Sequence, residues 1–210
     1  MLRPIDAIRC FHNAFRRDSS QIDNLAFDIA RDGGNLAPLF MRFQTFGEVL
    51  DIHARGEEAA VFPAADKLTP IFSRAYVMDH RELDTMVSDL EAISKEPNTL
   101  IAARTTAILN SHLRIHLNKE DAYLYPMLRE GITDNEQVSV LNIMSSKVPS
   151  EKFPMMIQWL FPLLDLEDQV SVTRHWMSLL PTQVFAMAKP LIKKNVAENW
   201  VELTRQIPEL

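Results

Sequence analysis

The sequence predicts an all-α protein: an up-down-up-down four-helix bundle over residues 1–131 and a C-terminal helical extension over 132–210. Three observations carry this. Four long segments place apolar residues at helical spacing and are separated by short breaks containing Pro, Gly or Asn. Only 5 of 210 residues are glycine, which argues against a turn-rich β architecture. Short connections between long helices set neighbours antiparallel, which is the bundle arrangement.

Pro4 opens the first helix, and "RDGGN" (Arg31 to Asn35) ends it. Its inward stripe is Ile5, Ile8, His12, Phe15, Ser19, Ile22. The second helix starts near Pro38 and runs to about Asp66, with the stripe Phe46, Val49, Leu50, His53, Glu57, Ala60, Val61, Ala64. "KLTP" reads as a turn, and Pro70 opens a third helix to about Lys95, striped Val77, His80, Leu83, Asp84, Val87. "EPN" (Glu96 to Asn98) breaks the chain. The fourth helix runs to about Arg129, striped Leu109, His112, Leu113, His116, Glu120, Tyr123, Leu124, Met127, and Gly131 stops it.

Beyond Gly131 the predicted helices are short and punctuated by Pro149, Pro154, Pro162, Pro181 and Pro190. This region repeats itself. "EQVSV" at Glu136 recurs as "DQVSV" at Asp168, and Pro149 and Phe153 recur as Pro181 and Phe185, a shift of 32 residues throughout. Trp159, Trp176 and Trp200 all lie here. They read first as the extension's own packing against the bundle. The sharper reading is a protein-partner surface, because Trp and Met are favoured at such surfaces.

Composition narrows the function classes. Net charge is −6 with no basic block, which argues against a nucleic-acid partner. A single cysteine, Cys10, leaves no internal disulfide and no cysteine-based zinc site, and fits a reducing compartment. No signal-peptide pattern and no uncharged apolar run of roughly 18 residues is present. The expectation is a soluble intracellular protein of cytoplasm or nucleus, with no membrane partner.

The chemistry lies in a duplication. "HARGEEAAVFP" at His53 and "HLNKEDAYLYP" at His116 share their offsets: His, an acid pair at +4 and +5, then aromatic-Pro at +9 and +10. Residues four apart stack on one helix face, so His53-Glu57 and His116-Glu120 each interrupt an apolar stripe. A lone buried carboxylate costs several kcal/mol unless it is paired. The first and third helices each supply one inward histidine, His12 and His80. The order His, HxxxE, His, HxxxE is a duplicated helix pair, and folding it as a bundle brings four imidazoles and two carboxylates together about a pseudo-twofold axis. That set suits two cations, with carboxylates bridging them and imidazoles capping each. Mixed His/carboxylate sites favour non-haem iron, with manganese or zinc as lesser alternatives. The Glu-x-x-His pattern of ferritin-type sites and HExxH are both absent.

This arrangement resembles the hemerythrin-like, HHE cation-binding family over residues 1 to about 130. "PIDAIRCFHNAF", "YVMDHRELD", "HLNKEDAYLYP" and, in the extension, "EQVSV" with "VPSEKFPMMIQWL" look similar to the hemerythrin domains of BRUTUS-type plant iron-sensing ubiquitin ligases. The resemblance implies two iron ions in an oxo- or hydroxo-bridged centre that meets dioxygen or a related small ligand. It puts His12, His53, Glu57, His80, His116 and Glu120 on the metal-ligand positions. Oxygen-carrying members have a second histidine four residues after the third-helix histidine. Here that position is Asp84, which argues against reversible oxygen carriage. The chain has no RING-type cysteines to be such a ligase itself, so it reads as a free-standing relative or as a domain of a larger protein.

The remaining polar residues are assigned smaller roles. Asp84 is left open between ligand, orienting partner of His80 and solvated residue. Glu58 and Asp121 lie about 100° round the helix from the inward pair, so they read as solvated or as supports of the ligands, with ligation as the alternative. His112 reads as a support or a core position, His175 as unrelated to metal, Cys10 as a buried thiol facing away, and Tyr123 and Tyr125 as packing. Three functions follow: an iron or oxygen sensor or binder, an oxidoreductase consuming peroxide or nitric oxide, and a metal-free helical scaffold.

Overall fold

The structure, a computed structural model, describes residues 3–210, and no strand occurs among them. After a 3-10 turn at Pro4–Ala7, helix α1 spans Ile8–Asp32. Then come α2 (Ala37–Gly56) and α3 (Phe62–Leu68), α4 (Arg74–Ile93), and α5 (Thr99–Lys119) with α6 (Tyr125–Gly131). α1 packs on α2 and α5, and α4 packs on α5 and α2, which closes the ring of a four-helix bundle. Pro70 does not open α4. It lies in a turn held by Asp66, which accepts from the Ser73 backbone N–H and hydroxyl at 2.8 Å each.

α2 joins α3, and α5 joins α6, without a break in the rod. Between them lie single π-helical turns at Glu57–Val61 and Glu120–Leu124. In each, the aromatic at +9 donates its N–H to the metal-motif glutamate five residues back: Phe62 to the Glu57 carbonyl, Tyr125 to the Glu120 carbonyl. The cause is the proline that follows. In a regular helix, Pro63 and Pro126 would have no N–H for the carbonyl four back and their rings would press on it. An extra residue in the turn relieves that conflict, and such turns are frequent at functional sites.

The inserted residue advances the inward face by one position. Before the turns the expected stripes hold except at His112, which is exposed. After them, Ala65 and Leu128 are fully buried in place of Ala64 and Met127. Tyr123, placed on the inward stripe by simple periodicity, is 65% exposed, while Tyr125 is buried.

The extension comprises α7 (Asp134–Ser145), α8 (Phe153–Leu160), α9 (Leu166–Leu179), α10 (Thr182–Val196) and α11 (Trp200–Gln206). Pro190 sits inside α10 and does not end it; Pro190 and Ala186 are exposed, so the carbonyl left without its N–H faces water. The 32-residue repeat has a structural meaning. Thr133 and Asp165 cap α7 and α9, accepting from the N–H groups of Glu136 and Asp168. Four residues on, buried Gln137 donates to the carbonyls of Arg129 and Ile132, and buried Gln169 donates to those of Phe161 and Leu164. Each glutamine caps carbonyls at the end of the preceding helix, joined by Arg3 at Arg129 and Ile132 and by the Leu164 N–H at Phe161.

One apolar cluster runs from Phe15, Phe43 and Phe46 in the bundle through Trp159, Phe161 and Trp176 in the extension. Trp159 packs on Phe15 with ring centroids 4.8 Å apart and donates its indole N–H to buried Asp18 at 2.6 Å. α7 lies on the Glu57–Val61 turn and on the end of α2. Gly56 permits this approach, because a Cβ there would stand 2.5 Å from Met144 Cγ. The residue at the same place in the second motif copy is Lys119, so only one half of the pseudo-symmetric bundle accepts α7.

Candidate metal centre

His12 lies in the second turn of α1, His53 in the last turn of α2, His80 on α4 and His116 in the last turn of α5. Glu57 and Glu120 are the first residues of the two π-turns. All six side chains are buried, and both glutamates have no exposed surface.

Each glutamate offers one oxygen to each side of the site. Glu57 Oε1 lies 3.2 Å from His53 Nε2 and 3.9 Å from His12 Nε2, while its Oε2 lies 3.4 Å from His80 Nε2. Glu120 Oε2 lies 3.5 Å from His12 Nε2, and its Oε1 lies 3.3 Å from His116 Nε2. The atoms form two donor sets: His80 and His116 with an oxygen of each carboxylate, and His12 and His53 with Glu57, while Glu120 Oε2 stands by His12. Cations held by nitrogen and oxygen at about 2.1 Å need donor atoms about 3.0–3.4 Å apart, by the geometry of right and tetrahedral angles. The observed separations are close to these.

Five of the inward atoms have no other partner. His12 Nε2, His53 Nε2, Glu57 Oε2 and both Glu120 oxygens are buried without a hydrogen-bond partner. Buried polar atoms seldom stay unpaired, because the desolvation penalty is then uncompensated. A bound cation would supply the missing partner, and the donor chemistry fits iron.

The outer ring nitrogens are held by carboxylates from neighbouring helices. Asp121 takes His12 Nδ1 at 2.8 Å, Glu58 takes His80 Nδ1 at 3.1 Å, and Asp79 takes His116 Nδ1 at 3.2 Å. Arg16, Arg81 and Lys119 brace Asp121, Glu58 and Asp79 in turn. The paired acids of each motif are thus divided: the +4 residue points inward and the +5 residue crosses to orient a histidine of the neighbouring helix. Such partners fix the ring and raise its basicity towards a metal. Asp79 is not legible in this role from the sequence, because it adjoins His80 along the chain but serves His116 on α5.

Electrostatics follow from burial and these partners. Burial lowers the His12 and His80 pKa values, but Asp121 and Glu57 for His12, and Glu57 and Glu58 for His80, more than offset it and both end above the ordinary value. For His53 and His116 burial dominates, and both end below it. Burial also raises Glu57, yet His53, His12 and His80 hold it well below the usual carboxylate range. Glu120 is pushed well above that range by burial and by the charge of Glu57. Two buried carboxylates facing the same imidazole do not readily both ionise without a cation, so Glu120 favours its protonated form, and a bound cation would displace that proton.

Tyr125 is the residue that the sequence misplaced. Its hydroxyl donates to Glu57 Oε1, and its ring meets His12 with centroids 5.4 Å apart. Burial and the charges of Glu57 and Glu120 push its pKa well up, so it stays a neutral donor. The signal was the aromatic-Pro pair, whose proline forces the extra residue.

The other candidates lie outside. His112 is exposed, 3.7 Å from Glu82. Asp84 is half exposed and pairs with Arg81 at 3.1 Å. His175 hydrogen-bonds the Ser171 carbonyl in the extension at 2.9 Å. Cys10 is buried against α9, 3.7 Å from the Asp168 carbonyl, and burial with the Asp168 charge pushes its thiol up to about 12. A cavity of about 10 Å³, room for about one water molecule, touches His53, Glu57, His80 and His116 and is walled by Leu50, Leu83 and Leu117, with Asp84 also on its lining.

A four-helix bundle with a buried His/Glu cluster of this geometry defines a metal-binding bundle protein. Residues 3–128 match the family model of the hemerythrin HHE cation binding domain, and the chain belongs to that family. Among curated proteins it is similar to two zinc finger proteins BRUTUS-like of Arabidopsis thaliana, 26% and 23% identical over 83% of this chain. It is also similar to the zinc finger protein BRUTUS of the same plant, 21% identical over 89% of this chain. The chain spans 16% of the length of each of these relatives. No solved structure matches it. No described helix is long and apolar enough to cross a membrane.

Proposed function

We propose that this chain binds two iron ions through His12, His53, Glu57, His80, His116 and Glu120, and that it senses iron or oxygen through them. The observation that carries this is the division of each glutamate's two oxygens between two histidine pairs. Bound iron would supply open coordination positions for dioxygen or a related small ligand, and redox chemistry. The chain's own residues do the rest. Asp121, Glu58 and Asp79 orient the imidazoles, Tyr125 donates to Glu57 Oε1, and Leu50, Leu83 and Leu117 wall a cavity that holds little more than a water or a diatomic molecule.

Sensing follows from linkage. A ligand that binds the folded form alone stabilises it in proportion to occupancy. Without iron, the buried carboxylates and imidazoles lose their partner, and the bundle loosens where α7 rests on the Glu57 turn. A protein partner would read that change at α7, where Ile143 stands exposed. Its similarity to BRUTUS-type proteins supports the iron-sensing reading. The same small cavity favours, as a second reading, an oxidoreductase consuming peroxide or nitric oxide.

Metal analysis and absorption spectra of aerobically purified protein test the proposal. About two iron atoms per chain and ferric absorption in the near ultraviolet are expected. Colourless protein fully loaded with zinc, and taking up no iron on reconstitution, would overturn it. Steady-state decay of added peroxide separates the enzyme from the sensor.

A further inference from the structure

The pseudo-twofold pairs His12 with His80, His53 with His116, Glu57 with Glu120 and Asp121 with Glu58. It fails at two places beside the metal centre. Before His80 stands Asp79, which accepts from His116 Nδ1 at 3.2 Å. Before His12 the same place holds Phe11, whose ring stacks on His53 with centroids 6.1 Å apart. Phe15 covers another side of that imidazole at 5.1 Å. No described residue accepts a hydrogen bond from His53 Nδ1, so His53 alone among the four histidines lacks an orienting carboxylate.

The second failure is at the aromatic of the aromatic-Pro pair. Tyr125 donates its hydroxyl to Glu57 Oε1, the oxygen that faces His12 and His53. Its mate Phe62 has no hydroxyl and packs on His80 with centroids 5.1 Å apart. Both Glu120 oxygens therefore keep their full donor strength, while Glu57 Oε1 shares its charge with a phenol.

Both differences act in one direction. An orienting carboxylate fixes an imidazole and strengthens it as a donor, and losing such a partner costs about 10–100-fold in metal affinity. A hydrogen bond to a ligating oxygen draws charge away from the metal. From these contacts we propose, resting on the two-iron reading above, that the two metal positions are inequivalent: the His80/His116 position fills first and tightly, and the His12/His53 position fills second and is the exchangeable one. Asp79 and Phe11 set the difference, with Tyr125 reinforcing it. A sensor built this way responds over a range of metal concentration set by its weaker position, while the tighter one keeps the bundle assembled.

Calorimetric titration of the chelator-stripped full chain with cobalt(II) tests this, with stoichiometry checked by equilibrium dialysis. The wild type should show two steps separated by about 10–100-fold. His53→Ala should keep the tight step and lose the weak one; His116→Ala should do the reverse. Phe11→Asp places a carboxylate beside His53 at a half-buried site that tolerates it, and should tighten the weak step towards the strong one. Tyr125→Phe should tighten the weak step and leave the strong step unmoved. Circular dichroism of each variant confirms its fold, and the Phe11 and Tyr125 variants decide the matter where a histidine variant does not fold. Two equal steps in the wild type, a tight step that survives in His116→Ala, or a weak step indifferent to both Phe11→Asp and Tyr125→Phe would overturn the inequivalence and leave the two-metal reading standing. A wild type that binds no cobalt would overturn both.

Discussion

Glu57→Gln and Glu58→Gln separate the two tasks of adjacent acids. Glu57 presents an oxygen to each histidine pair, so Glu57→Gln and Glu120→Gln should each lower bound metal by more than one equivalent per chain. Glu58→Gln only weakens the hold on the His80 ring, so its two equivalents should remain, with affinity lower by about 10–100-fold. Metal analysis after dialysis against graded chelator checks both. A Glu58→Gln protein empty at low chelator beside a fully loaded Glu57→Gln would show the ligand assignment to be one residue out. Trp159 carries a different kind of bond. Its indole N–H meets the buried Asp18 carboxylate, which Arg42 also engages. A hydrogen bond to a charged group contributes about 1.5–3 kcal/mol, so Trp159→Phe should lower unfolding free energy by about 2 kcal/mol in denaturant titration.

At the scale of elements, α7 and α9 depend on their caps and their approach surfaces. Asp165 accepts from the Asp168 N–H and pairs with Arg17 at 2.7 Å, and these contacts hold its carboxyl below the ordinary value of 3.8. A carboxyl depressed in the folded state contributes stability above its unfolded pKa and loses it as pH falls through the folded one. Asp165→Ala should therefore cost about 1 kcal/mol near neutrality, with the difference from wild type shrinking once pH drops below about 4. Denaturant midpoints at a series of pH values read this. Gly56→Val forces branched carbon into the space of Met144, and overpacking of that kind costs about 1–3 kcal/mol. Amide exchange should rise first in α7. If α7 stays as protected as in the wild type, Gly56 is not what seats it.

For the molecule as a whole, the continuous core between bundle and extension changes what iron removal should do. Independent packing of residues 132–210 would leave them indifferent to chelation. α7 rests on the turn that carries Glu57, so hydrogen exchange after verified iron removal should rise around His12, His53, His80 and His116 and also in α7. α10 and α11 pack mainly against other parts of the extension and should change least. Unchanged protection at the four histidines would remove the physical basis for sensing through fold stability. The sequence by itself determined the helix count of the bundle, its order, and the six buried His and Glu side chains, because a 3.6-residue period and a repeated HxxxE offset are local properties of one strand of chain. It could not give the rotation after each glutamate, since the π-turn answers a clash between a proline and a carbonyl that periodicity treats as uniform. That is why Tyr123 stood in the place of Tyr125. Nor could it pair Asp79 with His116, Asp121 with His12 or Phe11 with His53. Those contacts join helices distant along the chain, and only the packing of the folded bundle decides which outer face meets which inward ring.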